Sequence, residues 1–513
     1  MLRDRYTPQD LFALVPSAGL ALDPVLAQLD TLLDDDALYQ RVRADLALRR
    51  PHTMTRGRHS TPVAVILRLL VVKRLYGWSY AETERFVNDS LVLRQFCRVY
   101  LQPVPDDTTL IRWANLVGPA TVAALNDRVV ALAQACQVTR GRKLRIDGTV
   151  VETNIRYPTD SKTLGDGVRV LSRLVRRAKT VLSEGAALGA EAFRTRTRSV
   201  RRLTQQLHRV ARRKGEQAAE ELKQAYAKLI GIARTSRRQA ARVAAALRDQ
   251  ATDQGQRLVE RINHILPLVD QAIAQATRRV LQGAAVPAAD KLLSLFEPHT
   301  QAIRRHKPGK PTEFGRKVLL DEVDGGIVSH FAILDDVGLE HPHFIASLDA
   351  HQERFGHPPD LVAGDRGLYS PENEDRAHER GVRRVVLPKA GRASPARQAH
   401  ERQRWFRRGF HFRAGAEGRI HVLKRDYGLA RCRDHGEDGF GRWVGWGIVT
   451  HNLAQVAKTQ AARAARPAPP SRRAAYAPAP AQLPGGEGQR GWPPGAKWPA
   501  SQRWRGTSAI SHQ

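Results

Sequence analysis

The sequence predicts an α/β protein whose strands are interrupted by a long basic helical block and preceded by an all-helical region. Three observations predict it. A β-rich run, KLRIDGTVVETNI from Lys143 to Ile155, is followed much later by KVLLDEVDGGIVSHFAIL from Lys317 to Leu334, then by the short apolar runs LVA and VRRVVL. Between residues 161 and 300 the chain holds 27 basic and 12 acidic residues, and its apolar positions recur at spacings of three and four. From about Ala37 to Leu132 the apolar spacing is helical as well, broken by capping residues and not by alternation.

Taken in chain order, residues 1–140 form the helical N-terminal region. Thr61-Pro62 reads as an N-cap with proline at the first helical position, and Gly77 closes that helix. Ser79 and Glu82 fit a capping box, and Asp106 or Asp107 caps a helix carrying Leu110, Ile111 and Trp113. Short helices with Arg94, Arg98 and Arg112 suit a helix-turn-helix DNA reader; a helical bundle with a basic face fits the same letters. Residues 141–160 are the first part of the α/β core, with Asp147 inside the strand.

Residues 161–305 form the basic block. Val168, Leu171, Val175, Ala178 and Leu182, then Leu203, Leu207 and Val210, mark amphipathic helices, read as an inserted helical domain or coiled-coil hairpin. Its excess of positive charge favours DNA over a merely solvated face. Residues 306–460 return to the core: a hairpin at Asp324-Gly325-Gly326, a strand Leu361 to Ala363, a helix Pro371 to Arg380, and a strand Val382 to Leu387. Residues 461–513, rich in proline, alanine and arginine, are expected to be disordered.

Composition narrows the partners. With 83 Lys+Arg against 51 Asp+Glu, the formal net charge of +32 calls for a polyanion, and nucleic acid is the first candidate. No apolar run is long enough to span a bilayer and MLRDRYTPQD lacks the core of a signal peptide, so the expectation is a soluble intracellular protein. Cys97, Cys136 and Cys432 are too dispersed for a disulfide framework or a zinc site.

The chemistry concentrates in carboxylates. Asp147 lies in the first strand and Asp365 ends the strand LVAGD. Phe410, Arg413, Glu417 and Lys424 stand at offsets that place all four within about 60° of a helical arc. Gly415 and Gly418 weaken that helix by about 1 kcal/mol each. Arg413 and Glu417 also fit a plain surface ion pair. Carboxylates gathered at strand ends make a hard oxygen site suited to Mg²⁺ and to in-line phosphoryl displacement between two ions. Glu152 falls on the opposite strand face from Asp147, Asp160 and Asp166 fall in loop beyond Pro158, and Glu372 and Glu374 serve a helix start. His451 and Asn452 read as another helix start.

The order Asp147, Asp365, Glu417 resembles the DDE triad of prokaryotic insertion-sequence transposases. FHFRAGAEGRIHVLK is similar to their Y-x2-R-x3-E-x6-K signature, of the IS4 type, with Phe410 in the tyrosine position. YGWSYAETERFV, PDDTTLIRW, IDGTVVETNIRYPTDS and GDRGLYS resemble pieces of the IS5 and ISNCY groups, so the resemblance covers roughly Leu38 to Lys458. It implies an RNase H-like core interrupted by the helical block. It implies also a DNA transposase that binds transposon ends and, with two Mg²⁺ or Mn²⁺ held by Asp147, Asp365 and Glu417, cuts DNA to free a 3′-OH that attacks target DNA. Arg413 and Lys424 would contact DNA near the scissile phosphate, and Arg112 and Arg366 are further candidate DNA contacts. The partners expected are terminal inverted repeats, target DNA and a second copy of the chain, in the bacterial cytoplasm at the nucleoid. A DNA-binding regulator without catalysis, and a metal-dependent nuclease on the same core, are the alternatives.

Overall fold

Seven helices come first among the described residues: α1 (Pro24–Leu32), α2 (Asp36–Ala47), α3 (Val63–Leu75), α4 (Tyr80–Asp89), α5 (Leu91–Phe96), α6 (Asp107–Leu116) and α7 (Pro119–Ala135). The computed structural model describes residues 4–5, 22–49, 52, 55–56, 59–182, 188–249, 252–307, 310–335 and 340–466. The capping box at Ser79 and Glu82 is present in full, satisfying donors at the start of α4 from both sides. Asp106 caps α6, its carboxylate accepting from the Thr109 N–H. Pro62 is the N-cap of α3 and not its first helical residue, and Gly77 follows the helix at φ +70°. α3 is buried on almost every side, which explains its unbroken apolar run.

Two of the three arginines offered to a DNA reader hold this bundle together instead. Arg94 donates to the carbonyls of Tyr100 and Gln102, and Arg98 donates to Asp30. Arg112 lies exposed on α6.

The first strand, β1 (Lys143–Glu152), leads into α8 (Asp160–Lys179), α9 (Thr197–Val210), α10 (Glu216–Arg248) and α11 (Asp253–Ala276). These four helices close on a hydrophobic core of their own, built from Val168, Leu171, Val175 and Ala178 against Leu229, Ala233, Val243, Ile262 and Val269. The expected spacing therefore marks the buried face. Asp160 and Asp166 are not in a loop: both lie in α8, which Asp160 opens, and Asp160 is buried and accepts from Gln275 and Arg279, which ties the entry of the block to its exit.

Then follow β2 (Gln301–Lys307), β3 (Lys310–Val323), β4 (Ile327–Ile333), α12 (Phe344–Phe355), β5 (Leu361–Ala363), α13 (Pro371–Glu379), β6 (Arg384–Val386), α14 (Pro395–Arg402), α15 (Arg404–Asp426) and α16 (Gly436–Ala464). The hairpin at Asp324 to Gly326 joins β3 to β4, with Gly325 and Gly326 at φ +80° and +75°, a region open to glycine. Strand β2 and the first half of β3 lie outside the expected strands.

The strands make one open mixed sheet in the order β2-β3-β1-β5-β6, with β4 also on β3. β3 runs antiparallel to β1, β2 and β4, while β1, β5 and β6 are parallel. α15 lies across β1, β5 and β6, and α16 packs on α1, α3, α7 and β4. His451 and Asn452 sit in the middle of α16, buried, and do not start a helix. α16 also makes residues 461–464 helical; from 467 onward the tail for which disorder is expected lies outside the described residues. The three cysteines are free. No single described helix is long and apolar enough to cross a membrane.

Candidate active site

Register decides which acids meet. β1 pairs in parallel with β5, Arg145 standing opposite Ala363, the last residue of β5. Asp365 follows two residues after the last paired position, near enough to Asp147 for its charge to act on that carboxyl. Asp365 leaves the strand at this point because its Oδ1 accepts from the N–H groups of Gly367 and Leu368, at 2.8 and 3.2 Å, and so turns the chain out of the sheet. Gly364 leaves room for close packing here: a Cβ would stand 2.6 Å from the Leu368 side chain and 2.9 Å from that of Leu387.

Asp147 is buried, with 9% of its side chain exposed. Burial pushes its carboxyl up to about 6; Arg413 opposes the rise, while the charges of Asp365 and Glu340 add to it. Arg413 comes from α15, its Nη2 donating to Asp147 Oδ2 at 3.0 Å and its Nη1 to Glu417 Oε1 at 3.2 Å. Phe410, Arg413, Glu417 and Lys424 do lie on one helix, glycines included. Phe410 is 42% exposed, and the Glu417 side chain is 71% exposed, turned toward Arg413. Arg366 is exposed in the turn after Asp365.

α15 is fixed by a network that the sequence reading missed. Arg145, two residues before Asp147 and so on the same strand face, makes a two-pronged ion pair with Glu322 at 2.8 and 2.6 Å. Its Nη1 donates to the Phe412 carbonyl of α15 at 2.8 Å. Glu322, opposite Arg145 in the sheet, also accepts from Arg419 Nε at 3.0 Å. Arg419 Nη1 in turn donates to His451 Nε2, which is free to accept because burial pushes the imidazole down to about 3 and keeps it neutral. His451 Nδ1 donates to Asn452, which bonds Asn126 of α7. Period-two placement of Arg145 with Asp147 was the available signal; Glu322 had none beyond being an acid in an apolar run.

Glu340 was missed as well. Its Oε1 is 3.1 Å from Lys317 Nζ, its Oε2 is buried without a hydrogen-bond partner, and its carboxylate packs against Gly148, where a Cβ would stand 2.5 Å from Oε1. The discarded acids are occupied elsewhere: Glu152 by Arg431, Asp166 by Arg169 and Glu374 by Arg397.

As a seat for a divalent cation, Asp147 and Asp365 fit in donor chemistry: both supply hard oxygen donors, and the Asp147 carboxyl is buried where Asp365 and Glu340 add their charges to its own. Glu417 is engaged by Arg413, and among the described residues no three His, Cys, Asp or Glu side chains are grouped so as to hold a metal ion.

Residues 13–116, which take in α1 to α6, match the family model described as Transposase domain (DUF772). This supports a transposase family and, with it, DNA as the partner. Comparison with curated proteins and with solved structures gives no significant match.

Proposed function

We propose that the chain is a DDE transposase with an RNase H-like core, using Asp147, Asp365 and Glu417 as its catalytic carboxylates in cleaving and joining DNA strands at the ends of an insertion sequence. One observation carries the reading: Arg413 of α15 donates to both Asp147 and Glu417, and the charge of Asp365 acts on the same Asp147 carboxyl. The sheet order, with an antiparallel trio β4-β3-β1 continued by parallel β5 and β6, supports the RNase H-like core.

In this reading Asp147 and Asp365 would hold Mg²⁺ or Mn²⁺, with Glu417 as the further carboxylate that would complete the set. Two such ions supply charge relief at the attacking and leaving oxygens of an in-line displacement. Arg413 would turn its guanidinium to a DNA phosphate, with Lys424, Arg366 and, from the N-terminal helices, Arg112 as further contacts. Bringing two DNA ends together calls for at least two copies of the chain.

A second reading, a DNA-binding regulator without catalysis, is favoured by one feature: Glu417 is turned outward onto Arg413. Asp365→Asn separates the two. Metal-dependent cleavage of a transposon end by the parent chain, lost in the variant while end binding persists, supports the enzyme. End binding without cleavage by the parent at any Mg²⁺ or Mn²⁺ concentration supports the regulator.

A further inference from the structure

Beyond Glu152 the chain crosses from the sheet to α8 through residues 153–159, and the seam between this crossing and the helical block encloses about 580 Å³. That is room for a small organic ligand. Two aromatic rings stand at it in water, Tyr157 at 72% and Phe296 at 58% exposure. Tyr157 meets Phe314 edge-to-face at 5.5 Å between ring centres, and most of its surface stays in water.

The walls are basic. Arg156, Lys162, Arg169 and Arg173 line this cavity, and a second hollow sharing Lys162 and Arg169 adds Arg198 and Arg201. Two acids line the pair of hollows, and both are engaged: Asp166 by Arg169, and Glu297 by His435 and the Gly436 N–H. Arg156, Arg173, Arg198 and Arg201 have no ion-pair partner among the described residues. Cations tracking away from exposed rings are the arrangement that binds single strands, phosphates on the charges and bases on the rings. Duplex DNA does not satisfy it, because its base faces are already stacked and only edges and phosphates are presented.

We propose that this trough binds an unpaired stretch of DNA, with bases stacked on Tyr157 and Phe296 and the backbone following Arg156 and Arg173 toward Arg198 and Arg201. It rests on DNA being the substrate and adds a single-strand site to it. The trough begins where β1 ends, five residues past Asp147, or about 17 Å along a strand.

The test is fluorescence anisotropy of the full chain with labelled oligothymidine and with an equal-length duplex, over a range of salt. Tyr157→Ala and Phe296→Ala are each expected to weaken oligothymidine binding about tenfold and to leave duplex binding unchanged, while Tyr157→Phe retains it. Arg173→Ala is expected to lower the salt slope for oligothymidine by about 0.7. Parental affinity for oligothymidine in either ring variant overturns the proposal, as does equal weakening toward duplex. A parent that binds and cuts duplex ends but not oligothymidine overturns the trough alone. A parent that binds neither overturns the transposase reading with it.

Discussion

Arg413 Nη2 lies 3.0 Å from Asp147 Oδ2 while its Nη1 lies 3.2 Å from Glu417 Oε1, so one guanidinium joins the acid of the first strand to the acid of α15. The Arg413 side chain is 17% exposed, which makes the contact with Asp147 a largely desolvated one. Arg413→Gln leaves the Asp147 charge without its counterion and is expected to cost about 2 kcal/mol of stability at neutral pH. Chemical denaturation checks it. The loss should shrink when Asp147→Asn is present as well, because the double variant has no stranded charge.

Asp147 itself should make the metal-free chain sensitive to pH. Its carboxyl sits at about 6 against an ordinary 3.8, so the folded chain holds this proton more tightly than the unfolded one between those values. Its contribution to stability is therefore most favourable below about pH 4, declines through the interval, and is flat above 6. The difference across that interval is on the order of 3 kcal/mol. Asp147→Asn, neutral at every pH, is expected to melt higher than the parent at pH 7 in chelator while abolishing strand cleavage. A variant that melts lower at pH 7 would contradict the charge argument.

Glu322 should matter to the site without reaching it. Its carboxylate is 3% exposed and serves both Arg145 and Arg419. Glu322→Gln faces two guanidinium groups with a neutral amide and is expected to cost about 3 kcal/mol, read as a lower urea midpoint at constant slope. Because Arg145 also holds the Phe412 carbonyl, α15 should loosen. Cleavage would then need more Mg²⁺ for half its maximal rate, whereas a purely structural loss would lower the maximal rate alone.

The two glycines of α15 should respond oppositely to alanine. A Cβ at Gly418 would meet nothing within 4 Å, and Gly418→Ala is expected to stabilise the chain by about 1 kcal/mol through helix propensity. At Gly415 a Cβ would stand 2.2 Å from Arg145 Nη1, a group pinned by Glu322 and Phe412. Gly415→Ala is expected to cost about 1 kcal/mol net, as the displaced guanidinium outweighs the propensity gained. Thermal melting of the pair distinguishes them.

These glycines also show what was legible. Read along the chain, Gly415 and Gly418 only weaken a helix; one of them is the space into which a guanidinium from another strand fits, a fact with no local signature. The capping box at Ser79, the hairpin at Gly325 and the strands holding Asp147 and Asp365 were legible because each rests on neighbours in sequence. β2 was not, since QAIRRHK offers two apolar residues and takes its place only by pairing with β3. The half-buried arginines Arg94, Arg98 and Arg145 look like surface charge in a basic chain, and their carbonyl and carboxylate partners are set by tertiary approach. Glu340 influences Asp147 across a gap that periodicity does not describe.

The central pair of the sheet has a further consequence, in time and not in space. Leu144 faces Val323, with the entire helical block between them in sequence. During synthesis β1 emerges early and must wait, unpaired, while α8 to α11 are made and collapse around their own core from local contacts. Only when β3 follows can the sheet close. An apolar strand edge thus stays open while the whole helical block is made, and lower temperature, which weakens apolar association, should raise the yield of folded protein.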